Sequence, residues 1–112
     1  MKNGLYSLHV DMLDGHPDRG SGVIVLRNGE MRGGNGSVGI TGSYTVSGNR
    51  WKGELITKPH AAGGGTIFED RESGIGVSGT FDADGFAEAT GTALLGKTSL
   101  TFKVTLRRLS EA

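Results

Sequence analysis

The chain has 112 residues, with 12 Lys and Arg against 12 Asp and Glu, 21 glycines, two prolines and no cysteine. That length suits one domain, residues 1–112, built around a single core. Zero formal net charge argues against a nucleic-acid partner and against a membrane surface, both of which are held through an excess of Lys and Arg. Without cysteine there is no disulfide framework, thiolate metal site or cysteine nucleophile, and a reducing, cytoplasmic setting is expected.

The first element begins near the N-terminus. Tyr6, Leu8, Val10 and Met12 alternate with Ser7, His9 and Asp11, the period of a strand with one buried and one wet face. The same alternation breaks any apolar run that a signal peptide would need. Val23 to Leu26 is apolar at every position, the pattern of a strand covered on both sides. Asn28-Gly29 is a two-residue hairpin signal leading into Glu30–Arg32. Val38, Ile40, Gly42, Tyr44 and Val46 alternate with Gly39, Thr41, Ser43 and Thr45, and Ser47-Gly48-Asn49-Arg50 turns into a strand that starts at Trp51.

Lys58 to Ser73 is the longest irregular stretch, holding Pro59, His60, Gly63-Gly64-Gly65 and the charged run Glu69-Asp70-Arg71-Glu72. Connections of that length in compact domains are functional or mobile, and this one has room for a short helical turn. Ile75, Val77, Gly79 and Phe81 then alternate with Gly76, Ser78 and Thr80, and Asp82-Ala83-Asp84-Gly85 joins them to Phe86–Leu95. Gly96-Lys97-Thr98 turns into the last strand, where Leu100, Phe102, Val104 and Leu106 alternate with Thr101, Lys103, Thr105 and Arg107. No segment of ten or more residues has a helical period. The expected fold is therefore all-β: about eight short antiparallel strands in a meander, closed or nearly closed into a barrel. Gly39-Ile40-Thr41-Gly42-Ser43-Tyr44 resembles Gly76-Val77-Ser78-Gly79-Thr80-Phe81, one hairpin design used twice.

Several motifs fail on context. Gly91-Thr92-Ala93-Leu94-Leu95-Gly96-Lys97-Thr98 matches the phosphate-loop pattern letter for letter, but that mechanism needs a helix after the loop, and a strand follows here. Gly34-x-Gly36-x-x-Gly39 and Gly74-x-Gly76-x-x-Gly79 match the dinucleotide fingerprint, again leading into strands, so bend and bulge glycines are the expected reading. His9, His16 and His60 have no metal-ligand spacing. No paired groups suggest catalysis, a cofactor or a metal, and a non-enzymatic protein is expected.

The runs Lys2-Asn3-Gly4-Leu5-Tyr6-Ser7, Gly22-Val23-Ile24-Val25-Leu26-Arg27-Asn28-Gly29, Arg32-Gly33-Gly34, Gly42-Ser43-Tyr44, Trp51-Lys52-Gly53-Glu54-Leu55 and Ser78-Gly79-Thr80-Phe81 together resemble the GrlR-type negative regulators of type III secretion. They are closest to the small GrlR-like proteins of soil and plant-associated bacteria. The resemblance implies a lipocalin-like or calycin-like barrel, often a homodimer, that lacks enzymatic activity and acts by binding a protein such as a transcriptional activator. It also implies a docking loop at Ser47-Gly48-Asn49-Arg50; the acidic run of this chain, Glu69 to Glu72, lies elsewhere.

Two function classes follow. The first is a cytoplasmic regulatory protein that binds another protein. Its candidate contacts are Ser47, Gly48, Asn49, Arg50 and Trp51 on one hairpin, and Ile67, Phe68, Glu69, Asp70 and Glu72 on the long connection. Trp51, the single tryptophan, suits either a partner anchor or a large apolar cap for a glycine-rich core. The second class is a carrier or sensor for a small apolar, lipid-like molecule held in the barrel. Small inward residues, namely Gly42, Gly53, Gly79, Ala89, Gly91 and Ala93, either let a barrel pack tightly or leave a lumen.

Overall fold

The computed structural model describes residues 1–13, 19–60, 73–95 and 98–111. Eight strands follow one another: β1 (Gly4–Met12), β2 (Arg19–Arg27), β3 (Glu30–Gly34), β4 (Val38–Ser47), β5 (Arg50–Pro59), β6 (Ser73–Phe81), β7 (Phe86–Leu95) and β8 (Thr98–Ser110). Each pairs antiparallel with the next, and β8 pairs back onto β1, so the sheet is a closed barrel. Closure leaves no strand edge of this sheet unpaired, which removes the usual route to edge-to-edge association. No helix occurs among the described residues. The expected all-β barrel is thus the observed one, and the short helical turn considered for the long connection falls outside the described residues.

The turns are dictated locally. Asn28 (φ 51°) and Gly29 (φ 86°) both take the left-handed conformation, as a two-residue hairpin with the right twist requires. Asn3 holds this hairpin from the neighbouring strand: its Oδ1 accepts from the Asn28 N–H at 2.9 Å and its Nδ2 donates to Asn28 Oδ1 at 3.1 Å. In the Asp82–Gly85 turn, Asp82 Oδ1 accepts the N–H groups of Asp84 and Phe86 at 2.8 and 3.1 Å. The side chain thereby stands in for backbone partners.

Period-2 alternation sorts the two faces. Tyr6 and Leu8 on β1, Ile75 and Val77 on β6, and Leu100, Phe102, Val104 and Leu106 on β8 are all buried. β2 departs from expectation. Ile24 and Leu26 are 2 % and 0 % exposed, whereas Val23 and Val25 are 46 % and 36 % exposed. A closed single-layer barrel has only one interior, so a strand with apolar residues on both faces must leave one set on the outer wall. Val46 is exposed as well, two residues past the buried Tyr44 and next to the turn that closes the hairpin.

The interior is asymmetric. β1, β2, β3 and β8 bring large side chains, including Tyr6, Leu26, Met31 and Phe102, while β5, β6 and β7 bring Gly53, Gly79, Ala87, Ala89, Gly91 and Ala93. The small positions are seats for the large ones. A Cβ on Gly53 would lie 2.7 Å from Met31 Cε, and one on Gly91 would lie 2.9 Å from Phe102 Cε2. Gly42 and Gly79, the matching glycines of the internal repeat, serve a second purpose. A Cβ at either would run into backbone, the Glu54 carbonyl oxygen for Gly42 and the Glu88 carbonyl oxygen for Gly79. Each therefore allows the neighbouring strand to cross closely where the sheet coils, the role expected of glycine at a barrel bend.

Substituting Gly79 with Ala should cost roughly 2–4 kcal/mol, because the clash is with backbone that cannot rotate away. Gly76→Ala, where an added Cβ meets nothing within 4 Å, should be neutral or slightly stabilising, since it only lowers the freedom of the unfolded chain. Urea unfolding of the two variants separates these outcomes.

Candidate functional site

The large residues do not fill the barrel evenly. Tyr6, Tyr44, Trp51 and Phe81 all lie near the end where the Asn28–Gly29, Gly48–Asn49 and Asp82–Gly85 turns are found. That end is closed. Tyr6 is buried with its hydroxyl donating to the Lys2 carbonyl at 2.7 Å, and the Trp51 indole N–H donates to the Thr80 carbonyl at 3.2 Å. Burial pushes the Tyr6 phenol above its ordinary 10.0, with Arg108 opposing the shift and Tyr44 adding to it.

Toward the opposite end the inward residues are of middle size: Val10, Met12, Val38, Ile40 and Thr57. They leave a lumen cavity of about 90 Å³ that runs from Trp51 to the mouth. Its lining is almost wholly apolar. Among the described lining residues only Ser21, Asn35, Thr57 and the indole of Trp51 carry polar side-chain atoms, and none bears a charge.

Asn35 organises the rim. Its Oδ1 accepts from the N–H groups of Ser37 and Val38 at 2.8 and 2.9 Å, which fixes the turn between β3 and β4. Its Nδ2 donates to the Ser21 carbonyl at 3.0 Å, tying that turn to β2. On the other side, His60 Nε2 sits 2.9 Å from the Asn35 carbonyl oxygen and the His60 N–H donates to the Ser37 carbonyl at 2.9 Å, tying the turn to the end of β5. One asparagine thus links three strand ends around the opening.

The residues singled out from sequence fall in three places. Gly42, Gly53, Gly79, Ala89, Gly91 and Ala93 occupy inward positions of their strands, but none lines the cavity. They mark where large neighbours sit, not empty space. Ser47, Gly48, Asn49 and Arg50 form an exposed hairpin end, whereas Trp51 is 2 % exposed and forms part of the cavity wall. Of its two candidate roles, the buried one is the one observed. Ile67, Phe68, Glu69, Asp70 and Glu72 lie outside the described residues, as does His16. His9 is exposed on the outer wall.

The phosphate-loop lookalike belongs to a β-hairpin. Gly91–Leu95 ends β7 and Thr98 starts β8, with Gly96 and Lys97 outside the described residues. Both dinucleotide-fingerprint matches run from strand to strand in the same way, one across the Asn35 turn and one within β6. Among the described residues, no cluster of three or more His, Cys, Asp or Glu is placed to hold a metal. The outer wall carries Ser, Thr, Lys, Arg and Glu at most outward positions, with an exposed ion pair between Lys103 and Glu88 at 3.4 Å. Apolar inside and polar outside is the reverse of a barrel whose outer face meets lipid.

Val10, Ile40, Leu55 and Thr57, which do line the cavity, were not picked out by sequence. Alternation places them inward. Which inward residues border empty space depends on how far their neighbours reach across the barrel, and that has no signature along the chain.

Comparison of the chain with models of known protein families and with curated proteins finds no match.

Two outcomes test the closed end and the rim. Tyr6 has a raised pKa in the fold, so above pH 10 the unfolded chain loses this proton more readily than the native one, and stability should fall as pH rises past 10.0. Tyr6→Phe should flatten that part of the stability-against-pH curve. Asn35→Ala removes three hydrogen bonds from a strand-linking turn and should cost about 1–3 kcal/mol in urea unfolding.

Proposed function

We propose that this protein is a non-enzymatic binding protein whose barrel takes up a small apolar molecule through the mouth bounded by Ser21 and Asn35. One observation carries this reading: an apolar cavity of about 90 Å³, open at one end and floored by packed aromatic residues. Apolar pockets with a few polar groups are the usual form of a small-molecule site, and an empty apolar cavity readily accepts compact hydrocarbons. Trp51 in the cavity wall is a built-in reporter. Titration with 1-bromobutane, a heavy-atom quencher, should reduce Trp51 emission saturably. Ile40→Phe, which fills the lumen, should weaken that quenching at least ~5-fold. Linear, unsaturable quenching that is the same in both proteins would overturn the proposal.

A second reading is favoured by the outer wall. Leu5 on β1 pairs directly with Val25 on β2, Val23 lies two residues along, and Leu109, 58 % exposed, precedes Ser110, the partner of Leu5 on β8. These residues make an apolar strip on an otherwise polar surface, and such strips mark protein contacts. It suits the cytoplasmic regulatory role implied by the resemblance to GrlR-type proteins, with a second copy or a transcriptional activator as the partner. The expected homodimer should be visible by light scattering at about 100 μM, and Val25→Lys should shift it to monomer while leaving the barrel folded. A monomer at that concentration in the unaltered protein would defeat the dimer.

A further inference from the structure

Resting on the reading of the lumen as a ligand site, we infer that its ligand class is the short-chain neutral amphiphile: an unbranched tail of about four to six carbons with an uncharged hydrogen-bonding head, as in a medium-length alkanol. Volume sets the tail. A cavity of about 150 Å³ holds benzene, and the lumen here, at about 90 Å³, is some three-fifths of that. It accommodates about four carbons, and the walls of the mouth at Val10, Val38 and Ile40 cover one or two more.

The cavity has no cheap way to deepen. Its floor includes Met31 and Phe102, whose ends rest on Gly53 and Gly91, and Trp51 is anchored by its bond to Thr80. It has no cheap way to widen either, because every wall strand is hydrogen-bonded on both sides. A long fatty acid, the lipid-like ligand first expected for such a barrel, would leave most of its chain in water.

Chemistry sets the head. No Lys, Arg, His, Asp or Glu lines the cavity among the described residues. A carboxylate or ammonium brought to the rim therefore loses hydration without gaining an opposite charge, whereas a hydroxyl or amide meets the polar groups of Ser21, Asn35 and Thr57.

The test is a series of straight-chain alcohols from 1-propanol to 1-dodecanol, with hexanoate, hexylammonium and palmitate as comparisons. Binding is read by displacement of 1-bromobutane quenching and by methyl NMR shifts of Val10 and Ile40. Affinity should rise about fourfold per added carbon up to 1-hexanol, the gain for burying one methylene, and level off from 1-octanol onward. Hexanoate and hexylammonium should bind at least ~5-fold more weakly than 1-hexanol, as unpaired charges at an apolar mouth must. Ile40→Phe, or Val10→Phe should that variant not fold, should shorten the plateau by one or two carbons. Affinity that keeps rising to 1-dodecanol or palmitate with the same methyl shifts would overturn this inference while upholding a lumen site. Tighter binding of hexanoate than of 1-hexanol would overturn the neutral head. Absence of saturable binding by every alcohol, with native NMR dispersion intact, would overturn the lumen site itself.

Discussion

Every feature of this protein follows from fitting large side chains into a barrel that has room for only one layer of core. Met31 and Phe102 reach across the interior and come to rest on Gly53 and Gly91, where even a methyl group would collide with them. The glycine content that looks excessive for a folded domain is what lets a ring of eight strands enclose a close-packed interior. Gly42 and Gly79 extend the same logic to the backbone, permitting the close strand crossings on which closure depends.

The cavity is the remainder of that fit. Aromatic residues crowd one end of the barrel, and residues of middle size line the other. Nothing long enough extends from the mouth end to meet Trp51. The rim is held by hydrogen bonds that start from Asn35 and reach three strand ends. The void is thus framed by fixed elements, and its size rather than its polarity discriminates among apolar molecules. The outer wall carries a separate apolar strip around Leu5, Val23, Val25 and Leu109. A ligand inside and a protein outside are compatible in one barrel, because alternate residues of each strand serve the two faces independently.

Much of this architecture was legible along the chain. Alternation of Leu100, Phe102, Val104 and Leu106 with polar residues, the Asn28-Gly29 hairpin and the Asp82–Gly85 turn are local signals, and local sterics and hydrogen bonding decide them. The same reasoning placed Gly53, Gly91, Ala89 and Ala93 on the inward face and rejected the phosphate-loop lookalike, whose last residues form a strand. Val23 and Val25 were misjudged because an apolar residue on a strand does not say whether a second layer exists to cover it.

The sequence by itself determined which residues form strands, where they turn and which side chains point inward, since these depend on neighbours two to four positions away. Only the tertiary structure decided the rest. Closure of β8 onto β1 left a single interior and exposed the second face of β2. Seating of Met31 and Phe102 turned the small residues into contacts rather than space. The location of the cavity among Val10, Ile40 and Thr57 depends on side chains from strands far apart in sequence that fail to meet. A gap of that kind is a property of the assembled walls and of no segment within them.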